Sequence, residues 1–107
     1  MQQPGLTVRF SPDPEPVLYV AGELDVATAP ALREAFLQLV AREDVPELAL
    51  DVSGVAFADS SGLAVLLMGA RRWNEQGKRL VMRRPSAQLR RVIDLAGVAR
   101  AFEIEDR

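Results

Sequence analysis

Asp59-Ser60-Ser61-Gly62 places one carboxylate, two adjacent hydroxyls and a glycine directly ahead of an apolar run, and two kinds of chemistry fit that arrangement. The first is structural. Asp and Ser oxygens accept hydrogen bonds from the orphaned N–H groups that open a helix, and Asp59, Ser60 and Ser61 all qualify. The second is covalent modification. A helix N-terminus presents free N–H groups and a partial positive charge, which accommodate a phosphate. Phosphoserine carries about −1.5 to −2 charge at pH 7. Beside Asp59, that charge weakens any partner surface requiring a neutral or apolar contact. A hydroxyl here can therefore switch an interface without unfolding the chain. At this level both readings stand.

Other chemistries find less support. The 107 residues include no histidine to activate Ser60, and Gly-x-Ser-x-Gly is absent. The absence of cysteine removes thiolate nucleophiles, thiolate metal sites and disulfides, and suits a reducing compartment. The enzymatic rival is a carboxylate triad. Asp25, Asp51 and Asp59 all lie at or after expected strand ends, where α/β folds place active sites, and three carboxylates can hold Mg²⁺. Against it, no lysine follows in the position that aspartyl-phosphate chemistry needs, and an initial hairpin breaks the doubly wound pattern. The expectation is a chain with no catalytic residue, no metal and no cofactor of its own.

Composition narrows the partners. A net charge of −2 with 26% charged residues predicts solubility rather than attraction to nucleic acid or anionic lipid. Arg83-Arg84 and Arg90-Arg91 are balanced by acidic residues, and Arg90 and Arg91 lie opposite an apolar stripe on a solvated face. Arg71 and Arg72 suit the docking of an acidic partner. The first five residues lack a signal-peptide pattern, and Leu63–Ala70 is too short to span a bilayer. The expected compartment is the cytoplasm.

These residues need a scaffold. Leu6-Thr7-Val8-Arg9-Phe10 alternates with period 2, and Val17–Ala21 follows it across the turn Ser11–Pro16, predicting a hairpin. Gly22-Glu23-Leu24-Asp25 breaks the run. A first helix opens with Thr28 as its cap and Pro30 in its first turn, and buries Leu32, Ala35, Phe36, Leu39 and Val40. Leu48–Val52 reads as a buried central strand, and Ser53–Ala58 as a loop leading to the Asp59 segment. A second helix runs to near Gly77, with Leu63, Leu66, Leu67, Ala70 and Trp73 on its core stripe. Val65 and Met68 fall on the other side beside Arg72 and Glu75, an apolar patch one to two turns from Ser60 that suits a protein partner. Arg79–Arg83 is a further strand. Pro85-Ser86 opens a third helix that stops around Gly97, and Ala101–Ile104 adds a short edge strand. The order β-β-α-β-α-β-α-β predicts a single α/β domain over residues 1–107, with a core at about 6–104. Its mixed sheet of four to five strands has helices packed against it.

Three segments together resemble a known family. Gly22-Glu23-Leu24-Asp25 with Thr28 and Leu32 resembles the GELD motif of STAS domains. Phe57-Ala58-Asp59-Ser60-Ser61-Gly62-Leu63 resembles their phosphorylation segment. Pro85 with Leu89, Val92 and Leu95-Ala96-Gly97-Val98 is similar to their C-terminal helix. The similarity runs from about Thr7 to Ile104 and is strongest to the anti-sigma factor antagonists of the SpoIIAA-like branch. It implies a STAS fold and a partner switch. An anti-sigma factor serine kinase, supplying ATP and Mg²⁺, phosphorylates Ser60, and a partner serine phosphatase reverses this. The unmodified antagonist binds the anti-sigma factor and frees a sigma factor. On this basis Asp25, Asp59, Ser60, Ser61, Val65, Met68 and Arg72 form the partner-binding set. The resemblance leaves open whether the chain is a monomer or a weak dimer. The alternative within the family is an interaction subunit of a lipid ABC-type transporter or of a stress-signalling scaffold. The chain stops at Arg107, so a terminal helix found in longer relatives is expected to be absent or very short.

Overall fold

Apolar residues at alternate positions of Leu6-Thr7-Val8-Arg9 can share one buried face only if the backbone is extended. Strand β2 (Leu6–Ser11) adopts that conformation, burying Leu6 and Val8 and exposing Thr7 and Arg9. The computed structural model describes residues 2–3 and 5–106; Met1, Pro4 and Arg107, and the readings of the two chain ends that involve them, lie outside the described residues. β2 pairs antiparallel with β3 (Val17–Leu24), Val8 opposite Val20 and Phe10 opposite Leu18. On its other edge β2 pairs antiparallel with the two-residue β1 (Gln2–Gln3), one short strand beyond those read from the sequence.

From β3 onward every pairing is parallel, each reached through a crossover. Helix α1 (Ala29–Val40) leads to β4 (Glu47–Ala58), α2 (Ser60–Glu75) to β5 (Arg79–Arg83), and α3 (Ala87–Ala96) with a 3-10 turn (Ala99–Ala101) to β6 (Glu103–Glu105). The strands lie in sequence order across one mixed sheet, with β4 inside it. This is the expected α/β architecture in the expected element order.

The core explains why the pattern holds. Leu18, Val20 and Leu24 of β3, Leu48, Leu50 and Val52 of β4, and Leu32, Phe36, Leu66, Trp73, Leu89 and Ile93 of the helices are almost fully buried in one cluster. Truncating one of the larger of these side chains to Ala typically costs about 2–5 kcal/mol. Helices α1 and α2 meet where the Phe36 and Trp73 rings stand edge to face, with centroids 5.8 Å apart. Gly69 makes room: a Cβ there would lie 2.7 Å from the Phe36 ring.

One expectation requires correction. Ser53–Ala58 is not a loop but the second half of β4, a strand of 12 residues. Register shifts against β3 near Tyr19/Ala21 and Gly22/Glu23 break the period of two, so Val55 and Ala58 are buried while Ala56 and Phe57 face outward. A bulged strand loses the alternation by which strands are recognised.

Candidate functional site

β3 and β4 are parallel neighbours and end together, Glu23 opposite Phe57 and Leu24 opposite Ala58. The segments leaving them therefore emerge side by side at one end of the sheet. This carries Asp25 and the Asp59-Ser60-Ser61-Gly62 segment to the same edge, although 34 positions of sequence separate Asp25 from Asp59. The Asp59 N–H donates to the Leu24 carbonyl at 3.2 Å and ties the two ends together.

Asp59 is a single-residue junction, not the end of a loop. Its backbone is extended, its Oδ1 accepts the Gly62 N–H at 3.0 Å, and its carbonyl accepts the Leu63 N–H at 2.9 Å. That is the N-cap geometry, and it resolves which of the three candidates caps the helix. Ser60 and Ser61 become the first two helical residues. Ser60 is exposed, and its hydroxyl has no hydrogen-bond partner among the described residues; Ser61 is half-buried. The first turn is seated against β3 through Gly62, where a Cβ would lie 2.5 Å from the Leu24 carbonyl oxygen.

Asp25 organises the neighbouring turn. Its Oδ1 accepts from the Ala27 N–H at 3.0 Å and the Thr28 N–H at 3.1 Å. Thr28 stands at the N-cap position of α1, yet its hydroxyl makes no capping bond, contrary to the expectation from sequence. It is buried, donating to the Glu23 carbonyl at 2.7 Å and accepting the Asp25 N–H at 3.0 Å. Asp25 supplies the local acceptor because its carboxylate reaches two N–H groups at once. Its second oxygen has no hydrogen bond among the described residues.

Helix α2 differs from expectation in its outer face. Val65 and Met68 are half-buried and pack partly against the core rather than standing out as an exposed patch; Arg72, in the last turn, is exposed. The exposed apolar side chains at the Ser60 end are instead Val26 and Phe57, 73% and 44% exposed. Neither was identified from sequence. No local signal marks Phe57 as outward-facing, because register shifts against β3 erase the alternation of β4.

Asp51 stands apart from the other two aspartates. It is buried in β4, accepts from the Ser53 N–H at 3.0 Å and the Ser53 hydroxyl at 2.7 Å, and pairs with Arg84. Burial works against its ionisation, but the bonds from Ser53 and Arg84 outweigh it and hold the carboxyl below the ordinary aspartate range. Each of the three aspartates is thus engaged in its own turn or pair, and no group of three or more metal-ligating side chains occurs among the described residues. No helix among the described residues is long and apolar enough to cross a membrane.

Comparison with known proteins agrees with this geometry. The family model described as Mlab, STAS domain matches residues 8–104. The chain is 36% identical over 88 residues to the anti-sigma-F factor antagonist RsfB of Mycobacterium tuberculosis, covering 82% of this chain and 70% of that protein. It is 33% identical over 85 residues to the anti-sigma-B factor antagonist of Bacillus subtilis, covering 79% and 76%. Among solved structures it is similar to an anti-sigma factor antagonist from Mycobacterium paratuberculosis, with a TM-score of 0.80 and 31% identity, covering 100% of this chain and 92% of that one.

Proposed function

The chain belongs to the STAS domain family, and from that membership we propose that it is an anti-sigma factor antagonist switched by phosphorylation of Ser60. Unmodified, it binds an anti-sigma factor kinase and releases a sigma factor for transcription. The kinase supplies ATP and Mg²⁺, and a serine phosphatase restores the binding form. Because ATP is the phosphoryl donor, the exchange takes place in the cytoplasm. The relatives reported above are named as regulatory antagonists, which supports a binding role rather than an enzymatic one.

One observation carries this reading. Asp59 uses its own carboxylate to cap α2, which leaves the Ser60 hydroxyl exposed and uncommitted on the first helical residue. In phosphoryl transfer the Ser60 oxygen attacks the γ-phosphorus, its proton passes to a base on the kinase, and ADP departs. This chain contributes presentation. The helix tip accommodates the new phosphate, so the fold survives modification. The interface does not: about −1.5 to −2 charge is added beside Asp59, Asp25, Val26 and Phe57. Apolar contacts at Val26 and Phe57 are lost when a partner must also desolvate a dianion. Ser61 is half-buried on the second residue of the helix.

Incubation with the cognate kinase and MgATP, followed by peptide mass spectrometry, tests this; one phosphate is expected, on Ser60. Ser60→Ala should bind the anti-sigma factor and resist modification, while Ser60→Asp should bind more weakly. Binding indifferent to both substitutions refutes the switch. Affinity capture from the native cell separates this role from that of a transporter subunit, by recovering a histidine-kinase-like ATPase rather than an ABC ATPase.

A further inference from the structure

A second concave surface lies along α2, away from Ser60. The C-terminal half of that helix, the start of β5 and the Ala99–Ala101 turn line a cleft of about 480 Å³. Its apolar part is formed by Leu67, Ala70, Leu80 and Phe102, all half-buried. Its rim is cationic. Arg71, Lys78, Arg79 and Arg100 face the single carboxylate of Glu103, on a chain whose net charge is −2.

The four cations are not equivalent. Arg79 is held by Glu47 and Glu103, and the Lys78 ammonium donates to the Val40 and Arg42 carbonyls at 2.8 and 2.6 Å. These two form a fixed rim. Arg71 and Arg100 are exposed and have no ion pair among the described residues. Two free guanidiniums above an apolar recess suit a ligand that brings carboxylates and an apolar side chain together.

We infer that this cleft docks an acidic segment of a protein partner, with one apolar side chain entering the recess and flanking carboxylates meeting Arg71 and Arg100. Charge complementarity selects this occupant. A nucleic acid offers phosphates, but Phe102 is the one aromatic lining the cleft and is half-buried against the core, which leaves no platform on which successive bases could stack. The site does not rest on the Ser60 reading. Arg71 follows Ser60 by 11 residues on the same helix, roughly 16 Å along its axis, about two Debye lengths at physiological salt. Occupation of the cleft and phosphorylation at the helix tip are therefore nearly independent.

The test uses the full chain and a fluorescein-labelled synthetic peptide of aspartates and glutamates around one leucine, followed by fluorescence anisotropy and amide NMR. Saturable binding is expected, weakening as salt rises, with shifts centred on Ala70, Arg71, Arg100 and Phe102. Arg71→Glu combined with Arg100→Glu should weaken binding about tenfold or more with an unchanged circular dichroism melt. Replacing the peptide leucine by serine should weaken it too. Ser60→Asp should change it less than about twofold, so a failure of the Ser60 switch leaves this result standing. The proposal is overturned by absent binding, by shifts elsewhere, by indifference to the arginine reversals, or by an oligothymidylate of equal charge binding as tightly. Concentration-dependent shifts of the cleft without peptide also overturn it, since they assign the surface to a second copy of the chain.

Discussion

Gly62 touches the end of β3 so closely that any side chain at this position would collide with the Leu24 carbonyl, a β-carbon falling 2.5 Å from its oxygen. Two effects oppose each other in Gly62→Ala. Alanine gains about 1 kcal/mol of helix propensity, while the collision is with backbone and costs about 1–3 kcal/mol. The collision wins, because neither strand β3 nor the α2 tip can yield without breaking the Asp59–Leu24 bond. Urea unfolding followed through Trp73, the only tryptophan and a fully buried one, should show Gly62→Ala destabilised. A neutral or stabilised variant would mean that the helix tip is free to move.

Asp59 caps α2 and the proposed phosphate acceptor, Ser60, is its neighbour, so mutation can separate the two functions. Asp59→Ala removes the acceptor of the Gly62 N–H and should cost about 1 kcal/mol. Ser60→Ala removes an exposed hydroxyl without a partner and should change stability by less than about 0.5 kcal/mol while abolishing phosphorylation. Equal stability losses from both would show that the cap is shared.

Asp25 organises its turn, and one pair of variants tests whether its charge also acts in the proposed switch. Asp25→Ala removes the side-chain acceptor of the Ala27 and Thr28 N–H groups, Thr28 keeping its bond to the residue-25 carbonyl, and should destabilise by about 0.5–2 kcal/mol. Asp25→Asn retains an oxygen acceptor and removes only the charge. It should fold with nearly the parent stability yet alter the rate of phosphorylation. An Asn variant indistinguishable from the parent in both assays restricts Asp25 to turn formation.

The Asp51–Arg84 pair sets a pH dependence. Asp51 has a folded value below the ordinary 3.8, so its ionised form stabilises the native state. That contribution is complete above the ordinary aspartate value. It fades as the pH falls from about 3.8 through the lower folded value. Urea midpoints between pH 6 and pH 2 should therefore drop more steeply for the parent than for Asp51→Asn. Arg84→Ala should be the more damaging change, since it leaves a buried carboxylate short of its cation. Parallel pH profiles for parent and Asp51→Asn would exclude the pair as a determinant.

Local patterns account for what could be read in advance. The β2–β3 hairpin, the central Leu48–Val52 segment and the stripe ending at Trp73 follow from alternation or helical spacing alone. Ser86 also behaves as a local signal: its oxygen accepts the Leu89 N–H and caps α3, and Gly97 ends that helix at φ 72°. The misreadings come from contacts that residue patterns do not encode. Thr28 lost its capping role because its hydroxyl turns to the Glu23 carbonyl. Asp51 finds Arg84, 33 residues away, which no window can show. Phe57 looked like loop because bulges in the β3–β4 register erase the period of two. The Ser60 hydroxyl at a helix start was legible, while the apolar side chains exposed at that end of the sheet were not.

Those exposed side chains give the last prediction. Val65 and Met68 rest against the core, so Val65→Asp or Met68→Asp places a charge in a half-buried apolar setting and should destabilise by about 1–3 kcal/mol. Loss of partner binding in these variants would then report unfolding rather than contact. Val26→Ser and Phe57→Ser are the informative changes, because both side chains are exposed and lie at the Ser60 end of the sheet. Each should leave the melting temperature nearly unchanged and weaken anti-sigma factor binding severalfold, since an apolar anchor at an interface is worth about 1–2 kcal/mol. Isothermal titration with the anti-sigma factor, paired with a melt of each variant, separates the two pairs. Full binding by both serine variants would move the partner surface off this end of the sheet.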